Sequence, residues 1–318
     1  MIKKNNTQRI ILSRNLTDLV KFLSCLMIAL HHYSQGMVIA GTHNPIYMLF
    51  STQGGWLGVA IFFFLSGYGL MRSDLNHHLS LVQFMKKRVL KTYLPAMLIS
   101  LLWGGYLLAV GGGGKFQTLH IEHIVWYFND EVLWFVRAIC KLYVLFYIYA
   151  WSRLYFNTTC IGDRMNIILL VAIAAFAVWW VDAGLVHGSS VVLFFIGISL
   201  AEHDGLYLKI IRKKHPVIAL FLLFLAMGLI NMGKADIIHL LINYVLVSSG
   251  IILMAYYDVE PPTVPQWMSN SSYDIYLVHN KALMLLRPVY TIVPLWLFIG
   301  LTALFTILFY QIRKLIHI

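Results

Sequence analysis

The chain has 318 residues, of which 60% are hydrophobic and only 12% are charged, and its mean hydropathy is +0.75. Soluble domains contain about 45–50% apolar and about 25% charged residues, so this composition excludes a protein whose whole surface faces water. The net charge of +11 fits the excess of Lys and Arg in cytoplasmic loops of membrane proteins and does not indicate a nucleic-acid-binding protein.

Long apolar runs predict membrane-spanning helices along the chain. These runs lack the alternation of a β-barrel, and a helix satisfies its own backbone hydrogen bonds in lipid. A window of about 19 residues predicts about ten spans. In chain order they cover residues 16–38, 55–71, 92–110, 133–151, 166–181, 188–201, 216–231, 238–256, 273–290 and 292–311. We therefore expect an all-α, polytopic integral membrane protein embedded in the lipid bilayer.

The basic residues lie mostly on one side of these predicted spans. That side holds Lys3, Lys4, Arg9, Arg14, Arg72, Lys86, Lys87, Arg88, Lys91, Arg153, Arg164, Lys209, Arg212, Lys213, Lys214, Arg313 and Lys314. The opposite loops hold Lys115, Lys234 and Arg287. Because Lys and Arg concentrate in cytoplasmic loops, both termini are predicted to be cytoplasmic. We expect residues 1–318 to form one transmembrane domain with no appended soluble domain.

The first predicted helix contains ionisable residues, which are costly inside a membrane and indicate a functional site. At about 100° per residue, Asp18, Lys21 and His32 share one face, whereas His31 points about 100° away. Lys21 lies roughly 16 Å from His32 along the helix axis. A polar stripe of this length suits an elongated ligand. A polar contact between helices is the alternative interpretation.

His32 is the residue of this stripe best suited to proton transfer, because the reference pKa of histidine, about 6.5, lies near working pH. The sequence has no Ser-His-Asp pattern, no nucleophile elbow and no metal-binding spacing such as HExxH. Its three cysteines form no spacing motif. We therefore predict a general base and no metal.

Five segments follow one another in a distinctive order along the chain. They are Asp18-Leu-Val-Lys21 with His32 after ten intervening residues, Gly58–Tyr68, Phe84–Pro95, Leu133-Trp134-Phe135 and Ser272–His279. In this order they resemble the motifs of acyltransferase family 3, the membrane acyltransferases, whose first helix carries a basic residue separated by ten residues from an essential His. The resemblance covers nearly the whole chain.

The sequence departs from the family pattern at two places. Lys21 stands where most members have Arg, as in some oligosaccharide-directed members. Ile139 and Cys140 stand where many relatives have paired acidic residues, so any role of those carboxylates is not available to this chain.

The resemblance implies an O-acetyltransferase of the bacterial inner membrane. The expected donor is cytoplasmic acetyl-CoA, and the expected acceptor is a hydroxyl of a cell-surface or lipid-linked glycan. His32 is expected to act as general base or to carry the acyl group itself, assisted by Lys21 and Asp18. Residues predicted to bind the donor are Arg88, Lys87, Lys91, Arg72, Ser66 and Tyr68. A cationic cluster of this kind suits phosphates, although positive-inside bias also explains it.

The residues predicted to bind the acceptor are Trp134, Arg137, Lys141, Tyr276 and His279. Arg137 and Lys141 lie four residues apart on one helix face, where they would hold an anionic glycan or lipid phosphate, or extend to the membrane interface. His279 would line the same cavity as His32 or serve structural hydrogen bonding.

The main alternative function is a transporter or glycan flippase without covalent chemistry. Against it, the sequence has no clear inverted repeat and no matching pair of Gly/Pro-broken helices. Within acyl transfer, the alternative acceptors are an amine, a peptidoglycan sugar and a hydrophobic small molecule.

Overall fold

A computed structural model describes residues 12–110, 133–156, 162–181, 184–214, 236–257 and 259–316. Most of these residues are helical, and no strand occurs within these ranges. The helices are α1 (Arg14–Ile39), α2 (Pro45–Leu49), α3 (Gly55–Asn76), α4 (Leu81–Phe84), α5 (Lys91–Ala109), α6 (Trp134–Phe156), α7 (Gly162–Val181), α8 (Gly184–Glu202), α9 (Asp204–Lys214), α10 (Asp236–Tyr256), α11 (Gln266–Leu286) and α12 (Leu295–Leu315). The all-α prediction is confirmed.

Five helical stretches in the described ranges are long and apolar enough to cross a membrane. They are Arg14–Ile39, Pro45–Asn76, Trp134–Phe156, Arg164–Val181 and Leu295–Leu315. Together with the composition, these helices identify an integral membrane protein. The predicted span 216–231 lies outside the described residues. The total of ten spans and the cytoplasmic position of both termini stay predictions.

Two π-helical turns lead directly into long helices. Phe50–Gly54 precedes α3, and Met85–Leu90 precedes α5. Such turns often mark functional sites, because their wider spacing redirects side chains and carbonyl groups. Here the first turn presents the Phe50 carbonyl to α1, and the second carries Arg88.

Helices α3 and α8 touch each other through their backbones. A Cβ atom built on Gly67 would lie 1.9 Å from the carbonyl oxygen of Phe194, and one on Gly197 would lie 2.2 Å from that of Phe64. Small residues allow this close approach between membrane helices. Glycine is therefore a steric requirement at both positions.

Helix α1 packs between α3 and α11. The Cys25 thiol donates a hydrogen bond to the Ser272 carbonyl at 2.6 Å, and farther along the same two helices the His32 ring stacks on His279. Because the α11 partner advances together with the α1 residue, the two helices run parallel.

The beginnings of α1 and α11 are joined by the side-chain amide of Asn15. Its Nδ2 donates to the carbonyl oxygens of Pro261 and Pro262, both at 2.9 Å. Its Oδ1 accepts from the backbone N–H of Val264 at 2.6 Å. The segment before α11 is thus held against the first turn of α1.

Ion pairs of low exposure join further helices. Asp274 of α11, which is fully buried, accepts from Arg313 Nη2 of α12 at 2.6 Å. Arg153 of α6 reaches Asp74 of α3 at 3.2 Å and Glu202 of α8 at 3.7 Å. These pairs connect α11 with α12, and α6 with both α3 and α8.

Candidate active site

The side chain of His32 projects from α1 toward α11. Its ring stacks on that of His279, with centroids 5.3 Å apart and planes inclined by 25°. Its Nδ1 lies 3.2 Å from Gln35 Oε1. An amide oxygen only accepts, so this contact assigns the proton to Nδ1 and leaves the lone pair on Nε2. Nε2 is therefore the atom able to accept a proton.

The neighbouring His31 points to a different helix, in the direction that the helical wheel indicates. It is buried, and its Nδ1 donates to the Phe50 carbonyl at 2.9 Å. A Cβ atom on Gly55 would lie 2.5 Å from the Cδ2 atom of His31. His31 therefore joins α1 to the turn before α3, and this position gives it a packing role.

Aromatic rings continue from His32 along one face of α11. Tyr273 stacks on Tyr276 at 6.4 Å, Tyr276 lies 5.9 Å from His279, and His279 stacks on His32. The spacing of three residues on α11 places these side chains one above the other. We call Tyr273, Tyr276, His279 and His32 the aromatic row. The row connects His32 to the beginning of α5.

At the Tyr273 end, the aromatic row meets polar groups from α3, α5 and α6. The Tyr273 hydroxyl donates to the Thr92 carbonyl at 2.5 Å. The Tyr143 hydroxyl interacts with Ser66 and Thr92 and lies within electrostatic range of Arg88. Ser66, predicted to bind the donor, therefore lies in the same polar cluster as Arg88.

Arg88 is half-buried and donates from Nη2 to Ser73 Oγ at 2.7 Å. Lys87 and Lys91, on the same turn of chain, are exposed. Lys21 of α1 lies within electrostatic range of Arg88 and of Asp18. Cations from two helices thus converge at this end of the aromatic row, a charge distribution that fits the phosphates of a nucleotide-like donor.

Asp18 lies at the same end of α1. Its carboxylate is 3.9 Å from Arg14 Nε, and the Arg14 side chain is 94% exposed. A pair so accessible to water contributes little stability. Asp18 therefore has Lys21 and Arg14 as its charged neighbours, and it lies about 21 Å along the helix axis from His32.

A family model described as an acyltransferase domain matches residues 17–313, which include all five motif segments and both histidines of the aromatic row. The chain belongs to acyltransferase family 3. It is therefore a membrane acyltransferase. No curated protein and no solved structure matches the chain.

Two residues predicted to bind the donor have other partners in this acyltransferase. Arg72 Nη1 lies 2.9 Å from Asp204 Oδ2, and the Tyr68 hydroxyl lies 3.4 Å from the same oxygen. The Tyr68 hydroxyl also accepts from the backbone N–H of Leu12 at 3.2 Å. These contacts join α3 to the beginning of α9. Donor binding by Arg72 and Tyr68 stays a prediction, and the contacts give both residues a structural role.

The residues predicted to bind the acceptor have different surroundings. Tyr276 and His279 belong to the aromatic row, and the Trp134 ring lies 6.4 Å from the Phe63 ring. Arg137 is exposed, whereas Lys141 turns toward α7.

Lys141 is held by Trp180. Its Nζ donates to the Trp180 carbonyl at 2.8 Å and lies 5.2 Å from the centroid of the indole ring. Lys141 therefore has a partner on α7, and its binding of an anion together with Arg137 stays a prediction. In the described ranges, no group of three metal-binding side chains is present.

Four residues of the site were not predicted as site residues, although one of them, Tyr273, lies in the last motif segment. Gln35 lies three residues after His32 and so on the same helix face, which is a signal that could have revealed it. Thr92 and Tyr143 lack such a signal. Their place in the cluster depends on how α5 and α6 pack against α11.

Proposed function

We propose that this acyltransferase moves an acetyl group from acetyl-CoA to a hydroxyl of a cell-surface or lipid-linked glycan. The observation that carries the proposal is the aromatic row, which leads from the cationic cluster at Arg88 to the Nε2 atom of His32. An extended donor with phosphates at one end and a thioester at the other fits a site with this order of chemical groups.

In this proposal, the donor phosphates bind Arg88, Lys87 and Lys91, and the pantetheine arm follows the aromatic row. Lys21 of α1, within electrostatic range of Arg88, adds a further basic side chain. Arg and Lys bind phosphate oxygens through charge-assisted hydrogen bonds. The thioester then lies beside His32.

His32 Nε2 removes the proton from the acceptor hydroxyl while the hydroxyl oxygen attacks the carbonyl carbon of the thioester. The carbon–sulfur bond breaks, the oxygen–carbon bond of the ester forms, and the proton passes from His32 to the departing CoA sulfur. The products are an O-acetyl glycan and CoA thiol. In a two-step version, Nε2 itself takes the acetyl group before the acceptor does.

The test uses purified protein in nanodiscs with acetyl-CoA radiolabelled in the acetyl group and a cell-envelope glycan extract. The wild type should transfer label to the glycan fraction. His32→Ala should bind acetyl-CoA but transfer at least about 100-fold more slowly, because a general base contributes roughly 10²–10⁴-fold. His43→Ala, which removes an exposed imidazole, is the matched control and should behave as the wild type.

Full transfer by His32→Ala would overturn its assignment as the base. Transport of a labelled glycan into proteoliposomes, without any transfer of the acetyl group, would favour the transporter function. Labelled protein in the absence of acceptor, present in the wild type and missing in His32→Ala, would select the two-step version.

A further inference from the structure

A guanidinium group lies close to the His32 end of the aromatic row. A Cβ atom on Gly36 would be 2.9 Å from Arg287 Nη2 and 3.3 Å from its Nε, so the Arg287 side chain rests on the surface of α1 at Gly36. Gly36 follows Gln35, the partner of His32, by one residue. The positive charge of Arg287 acts on the His32 ring.

The position of Arg287 is fixed by its backbone and by the segment that follows it. Arg287 ends α11, and its backbone N–H donates to the Leu283 carbonyl at 3.0 Å. Beyond it, the Tyr33 hydroxyl of α1 donates to the Val293 carbonyl at 2.8 Å. The helix therefore fixes the backbone of Arg287, and the Tyr33 bond holds the segment after it against α1.

Arg287 has features of a ligand-binding cation. It is exposed, and in the described part of the chain no carboxylate lies within ion-pairing distance of it. A basic residue at a helix C-terminus often serves only its own helix dipole. This side chain reaches instead across to Gly36 of another helix. It also lies on the predicted outer side, where the distribution of Lys and Arg gives few basic residues.

We propose that Arg287 binds an anionic oxygen group of the acceptor, a carboxylate or a phosphate, and so places the acceptor hydroxyl at His32. This inference rests on the proposed acetyl transfer. Gly36 leaves room for the guanidinium beside the helix, and the planar group presents two N–H donors to such an anion. The acceptor is then an acidic sugar or a sugar carried on a lipid phosphate.

The experiment compares matched acceptor pairs with purified protein in nanodiscs of neutral lipid and radiolabelled acetyl-CoA. One pair is cellobiuronic acid and cellobiose, and the other is a polyprenyl phosphate sugar and the same sugar on the neutral polyprenol. The wild type should acetylate at least one anionic member with a KM roughly 10- to 100-fold lower than its neutral partner. The pair that shows this preference identifies whether Arg287 binds a carboxylate or a phosphate of the acceptor.

Arg287→Gln should abolish the preference by raising the KM for the anionic member, and Arg287→Lys should retain part of it. Arg164→Gln, which removes an exposed charge from α7, should retain all of it. Equal use of anionic and neutral members by the wild type would overturn the inference, as would a preference that survives in Arg287→Gln. Slow release of CoA by the wild type in the absence of acceptor reports the donor chemistry separately from acceptor binding. Its absence in the wild type would count against the proposed function and not against Arg287.

Discussion

The imidazole rings of His32 and His279 lie stacked with their centroids 5.3 Å apart, although they belong to the first and the last but one of the described helices. His279 Nδ1 donates to the Ile275 carbonyl at 3.0 Å, and His32 Nδ1 donates to Gln35. Both rings are therefore oriented before any substrate binds. Such preorganisation is what a proton-transfer site requires.

The contact between Gln35 and His32 predicts a positioning role for the amide. Gln35→Leu removes the acceptor of the Nδ1 proton, so we expect kcat to fall about tenfold while the KM for acetyl-CoA stays unchanged. Gln35→Glu retains an acceptor oxygen and should recover most of the loss. Steady-state kinetics in nanodiscs measure both values. A change confined to KM, or no recovery with Glu, would contradict this role.

Arg88 and Arg72 have different surroundings, so replacing them should affect different properties: donor binding for Arg88 and folding stability for Arg72. Arg88→Ala should raise the KM for acetyl-CoA about tenfold with little effect on the unfolding temperature, because Arg88 is proposed to bind the donor phosphates. Arg72→Ala removes the cation from the buried Asp204 and should lower the free energy of unfolding by about 3–5 kcal/mol. Donor kinetics and thermal unfolding in detergent separate the two effects. If Arg72→Ala raises KM as Arg88→Ala does and unfolds at the wild-type temperature, Arg72 binds the donor.

The backbone contact between α3 and α8 makes Gly67 intolerant of any side chain. Gly67→Ala places a methyl group where the Phe194 carbonyl lies, so we expect at least about 1–3 kcal/mol of destabilisation, or loss of the folded protein. Gly69→Ala is the matched control on the same helix, since its Cβ atom would meet nothing within 4 Å. Expression level and thermal unfolding report the difference. Equal stability of the two variants would mean that the helices are farther apart than described.

Asp274 and Arg313 form a buried ion pair, so the losses of unfolding free energy caused by replacing them should not add up. Arg313→Met leaves the carboxylate of Asp274, which is fully buried, without its cation, and should cost about 3–5 kcal/mol. The double variant Asp274→Asn with Arg313→Met removes the charge as well, so it should lose less than the sum of the two single variants. Unfolding free energies of the four proteins complete this cycle. Strict additivity would show that the two side chains do not interact.

The sequence could predict which residues of one helix point in the same direction, because helix geometry fixes which side chains share a face. The separation of His32 from His31 follows from about 100° per residue. Tyr273, Tyr276 and His279 are three residues apart on α11, so the same geometry places them on one face. Long apolar runs likewise predicted most helices of the structure, since lipid leaves the backbone few alternatives. Family membership followed from the order of the five segments.

Contacts between helices could not be predicted in this way, because they depend on packing and on local irregularities. Lys141 shares a helix face with Arg137 in sequence, yet the nearby carbonyl of Trp180 holds it at α7. Tyr68 belongs to a motif segment, yet α9 brings Asp204 to its hydroxyl. The reach of Arg287 to Gly36 depends on the path of the chain after α11. None of these partners is close in sequence, so no periodicity reveals them.

The amide of Asn15 has a consequence for chemistry far from it. It joins the start of α1 to the segment that opens α11, and from there the two helices run in the same direction. The stretch of α1 from Asn15 to His32 is roughly 26 Å long and does not stretch appreciably along its axis. A slip of one residue at Asn15 would shift His32 past His279 by about 1.5 Å, beyond the roughly 0.5 Å that an active site tolerates. The Asn15 amide, at the opposite end of the helix, therefore helps to set the axial register of the two histidines.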